Sequence, residues 1–341
     1  MVTSIVITSV NPLNQAMQDY ADLASNKNYL FVVAGDSITK EIKYPGLRFL
    51  SLAEQIDLDL RYPKLAPVNN YCRKNTAYLY SMMNGADRII ETDDDNFPYP
   101  NFGEESSSRE NCRVCEQTGF VNVYKYFTDS QNIWPRGFDL SSLKTKIPPY
   151  DSLEIQDLHS PIHSGLVDND PDVDALFRLI FDIPFDFEFK ERKVILAKGS
   201  WCSFNTQNTT FFPEAYPLMY QPATPLFREA DIIRGFVAQR ILWENEMYLK
   251  FHSPNVKQIR NPHKIIEDLR EEVKLYAYVG DLCNDLEATK ISAGPHNYQD
   301  AMLKCYSVIE KYGFINKSEY KLLDAWFNDI AKIAPNLLNR H

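Results

Sequence analysis

The sequence predicts an α/β fold: a mixed sheet flanked by helices, followed by a helical C-terminal region. Two observations set this expectation. Over roughly the first hundred residues, short β-branched runs alternate with segments of helical periodicity, the habit of a largely parallel sheet. From about residue 262 onward the pattern is helical only, with apolar residues recurring at spacings of three and four. The expected division is one α/β domain over residues 1–260, with halves at 1–130 and 131–260, and a helical region over 261–341.

Taken in order, residues 2–10 read as a buried strand closed by Asn11-Pro12, and residues 14–24 as a helix. Residues 29–34 form a second strand ended by Gly35-Asp36-Ser37, and 47–52 a third. Residues 75–84 are helical and apolar around most of their circumference, a sign of deep packing. Residues 88–92 make a short strand that runs straight into Asp93, Asp94 and Asp95. The middle is less regular. Residues 104–110 are polar and serine-rich and read as a loop, while Trp134-Pro135-Arg136-Gly137-Phe138 reads as a fixed turn. Asp170-Pro171 carries a helix-start signature, with Asp170 as N-cap and Asp172 in the first turn. Long helices are expected over 231–249, 263–279, 297–312 and 317–333.

Composition narrows the partners. With 36 basic and 46 acidic residues the net charge is −10, which argues against a nucleic-acid surface. A small anionic ligand then requires a metal or a local Arg/Lys cluster. Aromatic residues make up 13% of the chain, and exposed rings suit the C–H faces of sugars. Cys72, Cys112, Cys115, Cys202, Cys283 and Cys305 show no regular framework, so reduced and structurally incidental thiols are expected. No secretory leader is read before the first strand, and no apolar run approaches the roughly 20 residues that span a bilayer. The expected location is cytoplasmic.

The strongest chemical signal is Glu91-Thr92-Asp93-Asp94-Asp95-Asn96. Three consecutive carboxylates repel one another, and burial raises that cost. A divalent cation such as Mn²⁺ or Mg²⁺ resolves the repulsion, taking carboxylate oxygens on one side and diphosphate oxygens on the other. Asp93 and Asp95 can share one side of an extended segment, which makes them the metal-facing pair and turns Asp94 toward nucleotide or protein. The competing reading is a solvated acidic loop. Arg73 and Lys74 stand at a helix start, where cations oppose the helix dipole and a bound diphosphate would explain them. Thr8 and Ser9 at the first strand end, and Asp36 at the second, can read a base or ribose. In Arg228-Glu229-Ala230-Asp231-Ile232-Ile233-Arg234, Asp231 is the candidate general base with Glu229 in reserve. Arg234, like Arg228, is available for phosphate. His252 is a candidate third metal ligand, against the blander reading of a hydrogen-bonded core histidine. Ser200-Trp201 with Asn205, Gln207 and Asn208 forms a polar stretch suited to a sugar.

Together these segments resemble the STELLO-type glycosyltransferases, known as plant Golgi proteins. The resemblance runs through Val32-Val33-Ala34-Gly35-Asp36, Arg73-Lys74-Asn75, Asn84-Gly85-Ala86 and the acidic triplet. It continues through Trp134-Pro135-Arg136-Gly137-Phe138, Gly165-Leu166-Val167-Asp168, Asp170-Pro171-Asp172-Val173-Asp174, Phe204-Asn205-Thr206-Gln207-Asn208-Thr209 and Asp231-Ile232-Ile233-Arg234-Gly235, covering roughly residues 1–265. It implies a GT-A fold with a nucleotide-binding first half and an acceptor-binding second half. It also implies metal held by Asp93 and Asp95, and a nucleotide role for Asp36, Arg73 and Lys74. The expected activity is inverting transfer from a UDP-sugar to a glycan, lipid-linked or protein acceptor. Two alternatives stay open: a UDP-sugar mutase resembling the reversibly glycosylated polypeptides, and a non-catalytic UDP-sugar-binding scaffold of a polysaccharide-synthesis complex. Neither the plant proteins' membrane anchor nor their Golgi location is expected here. Peripheral membrane contact and a homodimer are left open.

Overall fold

A computed structural model describes residues 2–104, 107–261 and 264–338. Strand β1 (Thr3–Thr8) is flanked in parallel by β2 (Leu30–Ala34) and β4 (Arg88–Thr92), with β3 (Leu47–Leu50) beyond β2. Their apolar residues face helices on both sides, which is why the strands read as near-continuous hydrophobic runs. Helix α1 (Gln15–Lys27) starts where the Asn14 side chain accepts the Met17 N–H, and stops where Asn28 turns left-handed at φ 54°. Then come α2 (Leu52–Asp57), opened by a Ser51/Glu54 capping box, the short α3 (Tyr62–Leu65) and the deeply packed α4 (Lys74–Met83).

The second half adds β5 (Asn96–Pro98), β6 (Arg109–Cys115), β7 (Gly119–Phe120), β8 (Glu154–His159), β9 (Ile162–Asp168) and helix α5 (Ala175–Ile180). It is completed by β10 (Lys193–Leu196), β11 (Ser200–Trp201), β12 (Asn208–Phe211), helix α6 (Phe227–Glu244) and β13 (Leu249–Gln258). The large sheet runs β3-β2-β1-β4-β12-β9-β13-β10-β6-β8, with β5 paired to β13; β7 and β11 form a separate ribbon. This is the mixed α/β architecture expected.

One feature of the register positions the site. Strand β12 is antiparallel to both β4 and β9, and β13 is parallel to β9. The carboxyl ends of β1, β4, β9 and β13 and the start of β12 therefore meet at one edge, where ligands bind in open α/β sheets.

Helices α7 (Ile265–Ala288), α8 (Tyr298–Lys311) and α9 (Glu319–Ile333) share the core of the sheet. Asp329 of α9 accepts the backbone N–H groups of Arg61 and Tyr62 at 2.8 and 2.7 Å. The Trp326 indole donates to the Pro217 carbonyl at 3.0 Å, and Glu319 accepts the N–H groups of Ala223 and Thr224. Among the described residues no helix is long and apolar enough to cross a membrane. The six cysteines are buried thiols.

Three local expectations are corrected. The helix expected from Pro171 starts at Ala175, capped by Asp174, which accepts the Phe177 N–H at 2.8 Å. Asp170 is instead an ion-pair partner of Arg178 at 2.6 Å. The polar stretch at 104–110 turns into strand β6 from Arg109, because its side chains alternate between neighbours and solvent; residues 105 and 106 lie outside the described residues. The helix expected from Asp231 begins at Phe227 and ends at Glu244, buried along most of its length despite five buried charged side chains, Arg228, Glu229, Asp231, Arg234 and Arg240, that each find a partner.

Candidate active site

The converging strand ends open onto a cavity of about 180 Å³. One wall is the acidic triplet that follows β4, and the three carboxylates have separate environments. Asp93 Oδ1 accepts from the buried Lys74 ammonium at 3.0 Å and from the Tyr71 hydroxyl. Lys74 also reaches the Tyr71 oxygen at 2.8 Å and the Thr206 carbonyl at 3.3 Å. Asp94 turns into the protein, accepting from the Ser9 hydroxyl and from Asn11 Nδ2 at 2.9 Å, while its carbonyl takes Asn14 Nδ2 at 2.7 Å. Asp95 Oδ1 accepts from Gln258 Nε2 at 2.9 Å, across the gap to the end of β13. Burial, reinforced by the Asp93 charge, pushes the Asp95 carboxyl up to about 6, and burial raises Asp94 as well.

The facing wall is built around Arg136. Gly137 has φ +78°, and a Cβ there would come within 2.3 Å of Ile232 Cγ2, so only glycine lets this turn lie against α6. The turn delivers the Arg136 guanidinium between two carboxylates. Its Nε and Nη2 donate to Asp172 at 2.8 and 2.9 Å, and its Nη1 and Nη2 donate to Asp231 at 2.9 and 2.7 Å. Asn205 Nδ2 adds a bond to Asp172 at 2.8 Å. Burial alone would raise the Asp172 carboxyl, but Arg136 and Arg228 outweigh it and bring it to about 2. Arg228, Arg260, Gln207 and the exposed ring of Phe227 complete the lining.

Of the residues singled out in the sequence, Thr8, Asp93, Asp94, Asp95, Gln207, Arg228 and Asp231 line this cavity. Ser9 sits just behind, on Asp94. Asp36 is buried outside the lining, where it ties the loop after β2 to the next one by accepting the Ser37 and Asn70 N–H groups at 2.6 and 3.1 Å. The structure does not bring the others to the cavity. Arg73 spends its guanidinium on the carbonyls of Pro63, Ala66 and Pro67, at 2.9, 2.7 and 3.2 Å. Lys74 neutralises Asp93 from behind. Arg234 forms a fully buried bidentate pair with Glu91 at 2.5 and 3.0 Å. Glu229 closes a capping box with the Leu226 N–H and pairs with Lys274 at 3.0 Å, so it cannot serve as a reserve base. His252 lies within β13 opposite Gly165, with Nδ1 on the Ser253 carbonyl at 2.8 Å, away from the triplet. Ser200 and Trp201 are buried in the ribbon.

Among the described residues no three His, Cys, Asp or Glu side chains are grouped as a metal site. A hard divalent cation does not need three: Mg²⁺ is held by one or two carboxylates, with substrate phosphates and water supplying the rest. Burial and then the Asp93 charge push the Asp95 carboxyl up to about 6, a cost that a cation would relieve, so Asp93 and Asp95 fit such an ion as a pair.

Tyr71, Arg136, Asp172, Gln258 and Arg260 were not picked out as site residues. Arg136 had a legible signal, a charged residue before glycine in an otherwise apolar turn. Gln258 and Arg260 had none, because only the register of β13 against β9 and β5 brings them to this edge.

An acidic strand end and a clamped carboxylate that line one cavity mark a candidate site at the strand ends of an α/β domain. Comparison with known proteins adds what the chain is similar to. A family model described as STELLO glycosyltransferases matches residues 228–339. The chain is 26% identical over 336 residues to Probable glycosyltransferase STELLO2 of Arabidopsis thaliana, covering 93% of this chain and 43% of the relative. It is 25% identical over 335 residues to Probable glycosyltransferase STELLO1 of the same plant, with the same coverage of 93% and 43%. These matches relate the chain to the STELLO-type glycosyltransferases, the family its motifs resemble; it spans less than half the length of these relatives. A crystal structure of a mycobacterial protein aligns with 82% of this chain and 75% of its own at 9% identity and a TM-score of 0.38, too slight a likeness to carry weight.

Proposed function

We propose that the chain is a metal-dependent glycosyltransferase that moves a sugar from a UDP-sugar to a hydroxyl of a glycan or glycoconjugate acceptor with inversion. The observation that carries this reading is the shared cavity, lined by the Asp93–Asp95 pair and by Asp231. Asp93 and Asp95 would hold Mn²⁺ or Mg²⁺ against the diphosphate, and the cation, when bound, offsets charge on the departing nucleotide. Lys74 and Tyr71 hold Asp93 in place from behind.

Asp231 takes the proton from the acceptor hydroxyl as its oxygen bonds to the anomeric carbon. The bond from that carbon to the phosphate oxygen breaks, and its electron pair leaves with UDP. Arg136 is a positioning residue: two donors fix the Asp231 carboxylate plane, and Asp172 fixes Arg136 in turn. The polar wall of Thr206, Gln207 and Gln221 suits sugar hydroxyls.

The test is UDP release from a panel of UDP-sugars with Mn²⁺, with and without oligosaccharide acceptors. Asp231→Asn is expected to lower acceptor-dependent turnover by roughly 10²- to 10⁴-fold while UDP affinity stays parental. Parental turnover in Asp231→Asn would remove Asp231 from the mechanism.

A further inference from the structure

The helical C-terminal region does more than pack. Arg228, second residue of α6, and Arg260, just past β13, line the same cavity as the acidic triplet, with side chains only 7% and 10% exposed. Both are oriented by one face of α7. Glu272 accepts from Arg228 Nε at 2.8 Å, and Asp268, one turn earlier, accepts from Arg260 Nη2 at 3.2 Å. A third guanidinium, Arg178, pairs with Asp170 at 2.6 Å, and Arg260 Nη1 stands 4.0 Å from that same carboxylate.

Like charges buried together repel, and each of these arginines leans on a carboxylate, Asp170, Glu272 or Asp268. Burial, with Arg228 and Arg178 nearby, draws the Arg260 guanidinium down to about 10. Hydrogen-bonding capacity is left over as well. Among the described residues Arg260 Nε is buried with no acceptor, and Arg228 Nη2 lies 2.7 Å from Glu272 Oε1 but off the hydrogen-bonding direction. The neighbouring carboxylates are already committed, Asp170 to Arg178 and Asp172 to Arg136. Two buried guanidinium forks, each with a donor left over beside an acidic triplet, match the oxygens of a phosphate or diphosphate.

We infer that Arg228 and Arg260 form the diphosphate subsite of the cavity, with Asp268 and Glu272 of α7 as its positioning residues. This rests on the reading of the cavity as a nucleotide-sugar site, and it gives the anion-binding role expected of Arg73 and Lys74 to a different pair. The metal-facing carboxylates and the arginines then grip the diphosphate from opposite sides.

The probe is inorganic pyrophosphate, followed by UDP, titrated calorimetrically in EDTA and again with Mn²⁺. The parent protein is expected to bind pyrophosphate without metal, more weakly as salt rises. Arg228→Gln and Arg260→Gln should each weaken that metal-free binding by roughly ten- to a hundredfold, the range for charge-assisted hydrogen bonds. Arg260→Lys should recover part of the loss, since it restores charge without the fork. Arg178→Gln, outside the lining, should leave it near parental. Should Arg228→Gln fail to fold, Arg260→Gln and Arg260→Lys decide. Parental pyrophosphate affinity in the glutamine variants, or no metal-free binding by the parent, overturns the subsite. Arginine-dependent binding that Mn²⁺ does not strengthen would instead overturn the metal reading and leave the subsite standing.

Discussion

Replacing Arg234 by methionine separates a structural arginine from a ligand-binding one. In the fold Arg234 and Glu91 are 1% and 0% exposed and joined by two bonds at 2.5 and 3.0 Å, with the Tyr78 hydroxyl also donating to Glu91. Methionine fills similar volume but leaves a carboxylate in the core with one neutral donor. Breaking a buried pair from one side costs about 3–5 kcal/mol, because the remaining charge is uncompensated. Removing both charges, in Glu91→Leu with Arg234→Met, should return most of this. The double variant should still fall short of the parent by about 1–3 kcal/mol, since the Tyr78 hydroxyl is then left without its acceptor. Adding Tyr78→Phe should close that gap. The assay is equilibrium unfolding in urea followed by tryptophan fluorescence, with UDP affinity measured alongside. An Arg234→Met protein within about 1 kcal/mol of parental stability but tenfold weaker for UDP would refute this reasoning and return Arg234 to the nucleotide.

The remaining expectations can be checked on the same material. Gly137→Ala should lose acceptor-dependent turnover at least about tenfold and destabilise by more than about 1 kcal/mol, because a residue at positive φ is strained and its Cβ meets Ile232; turnover of the folded variant and its urea midpoint report both. Asp174, its carboxyl raised to about 6 chiefly by burial, accepts from the Trp134 indole at 2.7 Å. Its folded value lies above the ordinary carboxylate value, so its contribution to stability is present in full below about pH 4 and is lost as pH rises through 6, on the order of 2–3 kcal/mol. Tryptophan fluorescence of the native protein should titrate with a midpoint near 6, and Asp174→Asn should abolish that step. An unchanged step would mean another group is responsible.

What the sequence made legible followed local rules, and what it hid depended on register and long-range pairing. The strand at Arg88–Thr92 and the helices near 74–83, 298–311 and 319–333 follow from periodicity and lie close to where it puts them. The triplet was recognisable because three adjacent carboxylates after a buried strand need an explanation. Arg73 and Lys74 had the right charge at a helix start but the wrong direction. Nothing local says that one guanidinium will close on three loop carbonyls and the ammonium beside it will turn onto Asp93. Asp170 read as a helix cap and Asp172 as its first-turn acid because aspartates at alternate positions all suit a helix start. The cap proved to be Asp174, and Asp172 was left for Arg136, which lies 36 positions earlier in the chain. Arg228 was legible as a phosphate candidate, but Arg260 was not, nor were the α7 carboxylates that pair with both, a contact no helical pattern reveals.

Calorimetric titration of UDP in the presence and absence of Mn²⁺, on the parent and on the Asp93→Ala, Asp95→Ala double variant, tests the central assignment most directly. The expected result is UDP affinity that rises with Mn²⁺ in the parent and no longer responds to Mn²⁺ in the variant, while the weaker metal-free binding persists. A variant that keeps the parental response to Mn²⁺ would contradict the placement of the metal at Asp93 and Asp95.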